Sequence, residues 1–535
     1  MFLSDKELQN RQQWEYAGFI LPQFDRAAVR ERTCMAPVWV HFGAGNIFRA
    51  FPAVIQQRLL GEGLQDTGII VAEGYDHEII DAAFAPFDNL ALSVTLKADG
   101  SIEKTVVASV VESLKMDSDG FKRLMEVFAA ESLQILSLTI TEKGYGLTGG
   151  DGTLLPGVRA DLASGPSAPV SYMGKLAALC YHRYKNGAAP LALVSMDNCS
   201  HNGTLLFETV RRFAADWVGA GITESGFLGY VEDPSRLAFP WSMIDKITPR
   251  PDDSVARMLA DAGFEGAGGV VTSKNTYIAP FVNSEESEYL VIEDAFPNGR
   301  PPLEKAGVII TSRETVDKTE KMKVCTCLNP LHTGLAVFGC LLSYRRISDM
   351  MRDRSLIKLV RRIADEGLPV VTDPKIISPA GFIDTVINIR LPNPFMPDTP
   401  QRIATDTSQK LSIRFGETIK AYMRSDTLDV TALRAIPLVL AGWCRYLVGV
   451  NDDLDVFELS PDPLLSALHP LLADVIPGGV AGSYAEVLSP LLSNSAIFGV
   501  DLYEAGLAGR VTEYFAMMTA GPGAVRQTLE TALGG

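Results

Sequence analysis

The 535-residue sequence predicts an α/β protein: an N-terminal doubly wound parallel sheet followed by a mostly α-helical C-terminal domain. Three observations carry that expectation. Up to about residue 285, short β-rich apolar runs alternate with longer stretches of helical periodicity, and such alternation builds parallel sheets. The first well-formed run leads directly into a glycine turn, VWVHFGAGNIFRAF, at 38–51. Beyond about 285 the β-branched runs thin out and helical apolar spacing takes over.

Residues 1–30 read as an irregular or helical arm. Buried strands are expected at 38–42, 68–72, 135–141, 192–195 and 269–271, each bounded by Gly, Asp or Asn. Between them, 117–130 and 171–185 have helical periodicity. In the second half, helices are expected at 328–345, 355–365, 411–424, 431–448 and 463–473, with the Pro-rich 388–400 as an internal loop. The domains are therefore expected at 1–285 and 286–535. No repeat, heptad or low-complexity tract suggests a solenoid or coiled coil.

Composition narrows the function. Apolar residues make up 47% and charged residues 21%, a globular balance able to fill large cores. With 48 Lys+Arg against 64 Asp+Glu, the net charge of −16 argues against a nucleic-acid partner but leaves room for a small anion held by local cations. The seven cysteines are odd in number and scattered, which is no disulfide framework, and Cys325 and Cys327 have too few ligating neighbours for zinc. No metal is expected. The opening MFLSDKELQNRQQWEYAGF is too polar for a secretory signal, and no apolar run reaches the roughly 20 residues of a spanning helix. These features suggest a soluble cytoplasmic protein with no membrane partner.

A dinucleotide site needs a strand, a glycine turn that lets the backbone approach the pyrophosphate, and a helix beginning there. Gly43 and Gly45 follow the first strand, and a helix can start at Asn46, but Phe48 stands where a third glycine is usual. The next strand ends at Glu73, an acid placed to bind the adenosine ribose hydroxyls and to repel a 2′-phosphate, so favouring NAD over NADP; Asp76 is its rival. Taken alone, these residues fit a cofactor site or a purely structural turn.

Polar clusters follow two later strands, as SLTITEKGY (137–145) and VSMDNCSHNG (194–203), at the carboxyl ends where open α/β sheets bind ligands. Asp197 and Asn202 fit helix caps; Asn198 between them does not. In FPWSMIDKITP (239–249), Asp245 and Lys246 are either a solvated pair or site groups. The segment KMKVCTCLNPLHTG (321–334) gathers Lys, Asn and His. A Lys can exchange the proton of an alcohol, an Asn amide can stabilise its developing oxyanion, and a His can orient its hydroxyl. The alternative is a capped helix start with His332 packed inside.

Six motifs in order, HFGAGNIFRAF, TITEKGY, MDNCSHNG, FPWSMIDKITP, EYLVIEDAF and LNPLHTGLA, make the sequence resemble the mannitol dehydrogenase family of polyol-specific long-chain dehydrogenases over nearly its whole length. The resemblance implies a Rossmann-type NAD-binding domain, then a helical substrate domain, with cofactor and substrate meeting between them and no metal. Gly43, Gly45 and Arg49 match the family's turn, which lacks a third glycine, and Asn46 and Ile47 fall among the implied cofactor contacts with Glu73. Asn198 and Asn329 are implied to form the two halves of an oxyanion hole, and His332 to orient the substrate. The family's catalytic Lys stands five residues before that Asn; here position 324 is Val, so Lys323, six before, is the implied base, with Lys321 in reserve. Arg402 and Lys410 repeat the family's spacing of eight and are implied substrate-contacting cations, while Asp245 matches a polar position lining the same cleft.

The form TEKGY, with Lys143 where hexitol-oxidising members tend to have Gly, resembles members acting on hexuronates. The implied activity is NAD-dependent interconversion of D-fructuronate and D-mannonate. Tagaturonate reduction and hexitol 2-oxidation are alternatives within the family, and a catalytically silent NAD- or sugar-acid-binding protein is the alternative outside it. The implied partner is a small sugar acid or polyol, and the implied assembly a monomer or small homo-oligomer.

Overall fold

The computed structural model describes residues 1–251, 253–479 and 484–534. They form two compact units, Met1–Lys97 with Ser101–Asp317, and Lys318–Gly535 with Ala98–Gly100.

The first unit is built on six strands: β1 Trp39–Phe42, β2 Ile69–Glu73, β3 Val110–Lys115, β4 Ile135–Leu138, β5 Leu191–Ser195 and β6 Leu237–Ala238. All pair in parallel, in the order β3-β2-β1-β4-β5-β6, the order of dinucleotide-binding sheets. Its main helices are α1 Asn46–Ala50, α2 Pro52–Gly61, α3 Ser118–Ala129, α4 Tyr172–Lys185 and α5 Asn202–Gly219.

Successive side chains of a strand point to opposite faces. Here Val40, Ile70, Leu136 and Leu193 join one core with residues of α3, α4 and α5, while Trp39, Ile69, Ile135 and Ala192 join another with residues of α1 and α2. The sheet is thus covered on both faces, which is why its central strands read as unbroken apolar runs.

Three sequence expectations change. Val270–Val271 is no core strand: its side chains are more than half exposed and it pairs with Tyr277–Ile278 in a separate hairpin. The edge strand β3 went unread because Glu112, Ser113 and Lys115 break its apolar run. The N-terminal arm is well built, with a short helix Arg11–Tyr16 burying Trp14, a strand Phe19–Ile20 paired to Lys104 and Thr105, and a helix Arg26–Met35.

The texture change at 285 precedes the end of the first unit. Glu285 ends a strand of a small four-stranded sheet, and Tyr289–Glu293 and Ile309–Thr311 still belong to a three-stranded one.

The second unit is helical, as expected. After α6 Arg313–Met322 come a π-helical turn Lys323–Cys327, α7 Asn329–Leu341, α8 Arg354–Gly367, α9 Ala435–Tyr446 and α10 Ala508–Met518. Every residue of α9 is buried and, apart from Arg445, whose guanidinium donates to backbone carbonyls, its faces are largely apolar, the pattern of a central helix. Its first N–H groups have no intrahelical acceptor. Glu366, from α8, supplies one: its carboxylate accepts from Arg434, Ala435 and Ile436 N–H at 2.7–2.9 Å. The run Arg313–Leu341 is, against expectation, long and apolar enough to cross a membrane, but 78% of its most apolar window is buried inside the protein, as in a core helix.

Candidate active site

In the first unit the expected site residues gather at the carboxyl ends of β1, β2, β4 and β5. The glycine turn is fixed from three sides. Gly43 has φ +101°, and a Cβ there would lie 2.2 Å from the Thr139 carbonyl oxygen, so only glycine fits. Its N–H donates to Ala72 O at 2.9 Å. Gly45 differs: it precedes α1 with φ −76°, and a Cβ on it would meet nothing within 4 Å. That is the open backbone a pyrophosphate needs.

Phe48 has a positive role. It is fully buried and its ring stacks on His41 at 4.2 Å. His41 is held by Ser137 Oγ at 2.6 Å and Thr139 Oγ1 at 2.8 Å, and burial pushes its pKa down to about 3, so the ring is neutral. An aromatic stack therefore joins helix and sheet where a glycine would allow bare backbone contact.

Three members of the expected cofactor set make structural contacts. Arg49 is fully buried, donating to Ala279 O at 2.7 Å and to Asn46 Oδ1 at 2.9 Å; burial pulls its pKa down to about 9. With no exposed surface it ties the turn to the 279 segment and braces Asn46. Ile47, half-buried, packs against the core on that face. Glu73 is 6% exposed, and its carboxylate accepts the N–H groups of Ala44 at 2.9 Å, Tyr75 at 2.8 Å and Asp76 at 3.2 Å. It fastens the glycine turn to the end of β2. Its rival Asp76 accepts the Thr272 hydroxyl at 2.6 Å through Oδ2, while Oδ1 is buried with no hydrogen-bond partner among the described residues. An acceptor left unmade in this way points to a missing donor.

Asp197 and Asn202 prove to be clamps rather than caps. The Asp197 carboxylate accepts from Ile140 N and Thr141 N, both at 2.9 Å, and from the Tyr145 hydroxyl at 2.6 Å. Burial raises its pKa, and these bonds oppose the rise. Asn202 bridges Asp197 O and Ser242, accepting Ser242 N–H at 3.0 Å. Thus three of the sequence motifs are sewn into one platform. On it, Asn198 is exposed just beyond β5, Lys143 is exposed on the turn Glu142–Tyr145, and Asp245 ends a strand with 6% exposure.

In the second unit, Lys323 opens the π turn and is 3% exposed, whereas Lys321 is exposed. The Lys323 carbonyl accepts from Leu328 N–H at 3.1 Å, an i→i−5 bond that takes one extra residue into the helix. Such a turn can take up one residue more than a regular helix, and it lies within the six-residue spacing from Lys323 to Asn329. Asn329 and His332, both half-buried, stand three apart on the first turn of α7 and so share a face.

The two cations carried over for substrate contact differ. Arg402 has 65% of its side chain exposed and is ion-paired with Asp398. Lys410 is half-buried and donates to Thr405 O at 2.5 Å. A residue missed in the sequence lies one turn on: Arg414 donates to Thr333 Oγ1 at 2.6 Å, and that hydroxyl donates to Asn329 O at 3.0 Å. Only this contact, 81 residues away in sequence, distinguishes Arg414 from any other helical arginine. The Lys, Asn and His of the second unit bring an ammonium, an amide and an imidazole, groups chemically able to exchange a proton and donate to an oxygen; no His/Cys/Asp/Glu cluster able to hold a metal occurs among the described residues.

Comparison with known proteins identifies the family of both units. Residues 38–305 match the mannitol dehydrogenase Rossmann domain, and 315–518 the mannitol dehydrogenase C-terminal domain. The chain is 52% identical to the D-mannonate oxidoreductase of Thermotoga maritima, covering 100% of this chain and 99% of that protein. A mannitol 2-dehydrogenase of Pseudomonas fluorescens, solved as a ternary complex with NAD and D-mannitol, superposes with TM-score 0.69 at 25% identity over 99% of both chains. A substrate-free D-sorbitol dehydrogenase shares the fold with TM-score 0.76 at 23% identity, over 96% of this chain and 98% of that one. The chain belongs to the mannitol dehydrogenase family.

Proposed function

We propose that this protein is an NAD-dependent oxidoreductase interconverting D-mannonate and D-fructuronate. The observation that carries the reading is 52% identity, over the whole chain, to a D-mannonate oxidoreductase. The sheet order, the open backbone at Gly45 and the unsatisfied Asp76 Oδ1 suit a dinucleotide. When bound, NAD(H) supplies or accepts the hydride. Gly45 and Asn46 would hold the pyrophosphate and Asp76 would accept from the ribose, while Glu73 keeps the turn in shape. The acids at the end of β2 disfavour a 2′-phosphate, which supports NAD over NADP.

Lys323 takes the hydroxyl proton in the oxidative direction and returns it in the reductive one. Its near-complete burial favours it over the exposed Lys321 for that task. Asn329 donates to the developing oxyanion, His332 orients the substrate hydroxyl, and Asn198 is the amide assigned from the sheet platform. None of the seven cysteines forms a disulfide, in keeping with a reducing cytoplasm.

A steady-state panel of D-mannonate, D-altronate, D-mannitol and D-arabinitol with NAD and NADP tests the reading. D-mannonate with NAD should give the highest kcat/KM; preference for mannitol would overturn it. Lys323→Ala should lose turnover by about 10²–10⁴-fold while still binding NADH, and Lys321→Ala should keep it.

A further inference from the structure

We propose that Arg414, together with Lys410, forms a carboxylate-binding pair in the helical unit, with Arg414 selecting an acidic sugar over a neutral one. The proposal rests on the sugar-acid reading above and names the residue that recognises the acid.

The two cations are locked side by side. Arg414 N–H donates to Lys410 O at 3.0 Å, so they stand one helical turn apart, where like charges repel. In a chain of net charge −16, carboxylates are abundant, yet among the described residues neither cation forms an ion pair; each donates only to a neutral oxygen. Arg414 keeps most of its N–H groups for another acceptor.

Electrostatics supports the geometry. Burial lowers the Arg414 pKa to about 10 and also lowers that of Lys410, which the Arg414 charge depresses further; Asp406 and Asp462 oppose this from beyond ion-pair distance. A half-buried guanidinium without a counter-ion is costly, and a planar carboxylate matches its fork. Arg402 and Lys143 are weaker candidates, the first neutralised by Asp398 and the second exposed.

Position completes the case. Through Thr333, Arg414 is hooked to the first turn of α7, which carries Asn329 and His332. A carboxylate at Arg414 and a reacting hydroxyl at Asn329 would be held from two packed elements, the turn Ser412–Gly416 and α7, which Thr333 joins.

The test uses the full chain with Arg414→Gln, Arg414→Lys and Thr333→Val. KM and kcat are measured for D-mannonate, and D-mannitol is followed as substrate or competitive inhibitor. A thermal melt with NADH checks each fold. Arg414→Gln should raise the KM for mannonate about 10- to 100-fold more than it weakens mannitol. Arg414→Lys should recover part of the loss, and Thr333→Val should affect both sugars alike. If Arg414→Gln weakens both sugars equally, Arg414 only positions α7 and the proposal falls. A wild-type enzyme that uses mannitol and not mannonate overturns the substrate reading and the proposal with it.

Discussion

His41 shows how a residue within the cofactor motif serves the fold. Its ring sits between Ser137, Thr139 and Phe48, neutral, with its pKa lowered by burial to about 3 from 6.5. Below about pH 6.5 the unfolded chain takes up a proton that the folded chain refuses, so this site's contribution to stability is lost as pH falls from about 6.5 toward about 3. We expect His41→Gln to flatten that limb by about 1.4 kcal/mol per pH unit, measured by urea unfolding at several pH values. An unchanged slope would mean that the ring is protonated in the fold. The two glycines give a sharper contrast. Gly43→Ala forces a Cβ against Thr139 O at positive φ and should cost about 2–4 kcal/mol. Gly45→Ala meets open space and should leave the urea midpoint unchanged while weakening NADH binding.

At the scale of elements, legibility followed burial. β1, β2, β4 and β5 were readable because both of their faces are covered, which leaves apolar runs in the sequence. The edge strand β3 alternates with polar residues, and Val270–Val271, apolar but exposed, misled for the opposite reason. The polar motifs at strand ends were equally readable as a group, but not the division of labour within them. Asp197 and Glu73 announce themselves as acids near a site, and only coordinates show that their oxygens are taken up by backbone N–H groups. Arg414 left no signal, since its meaning lies in one contact with a distant threonine. The π turn is the intermediate case. The resemblance implies a spacing one residue longer than usual between Lys323 and Asn329; the structure shows an i→i−5 bond there, which can absorb such a residue.

Taken as a whole, the chain has two compact units, and the residues proposed for dinucleotide binding all lie in the first. Calorimetry should therefore show NADH raising the unfolding temperature of one transition before the other, by the equivalent of about 2.7 kcal/mol at a hundred times Kd. A single transition moved as a block would show that the units unfold together. The fastening role of Glu73 has a consequence for the enzyme's redesign. An acid at the end of this strand is the obvious target for switching a dehydrogenase to NADP. Here the same carboxylate fastens the Gly43–Gly45 turn to the sheet, so replacing it should loosen that turn. A switch is therefore expected to succeed from Asp76 and Thr272, whose side chains can be altered without undoing the bonds that Glu73 makes to the turn.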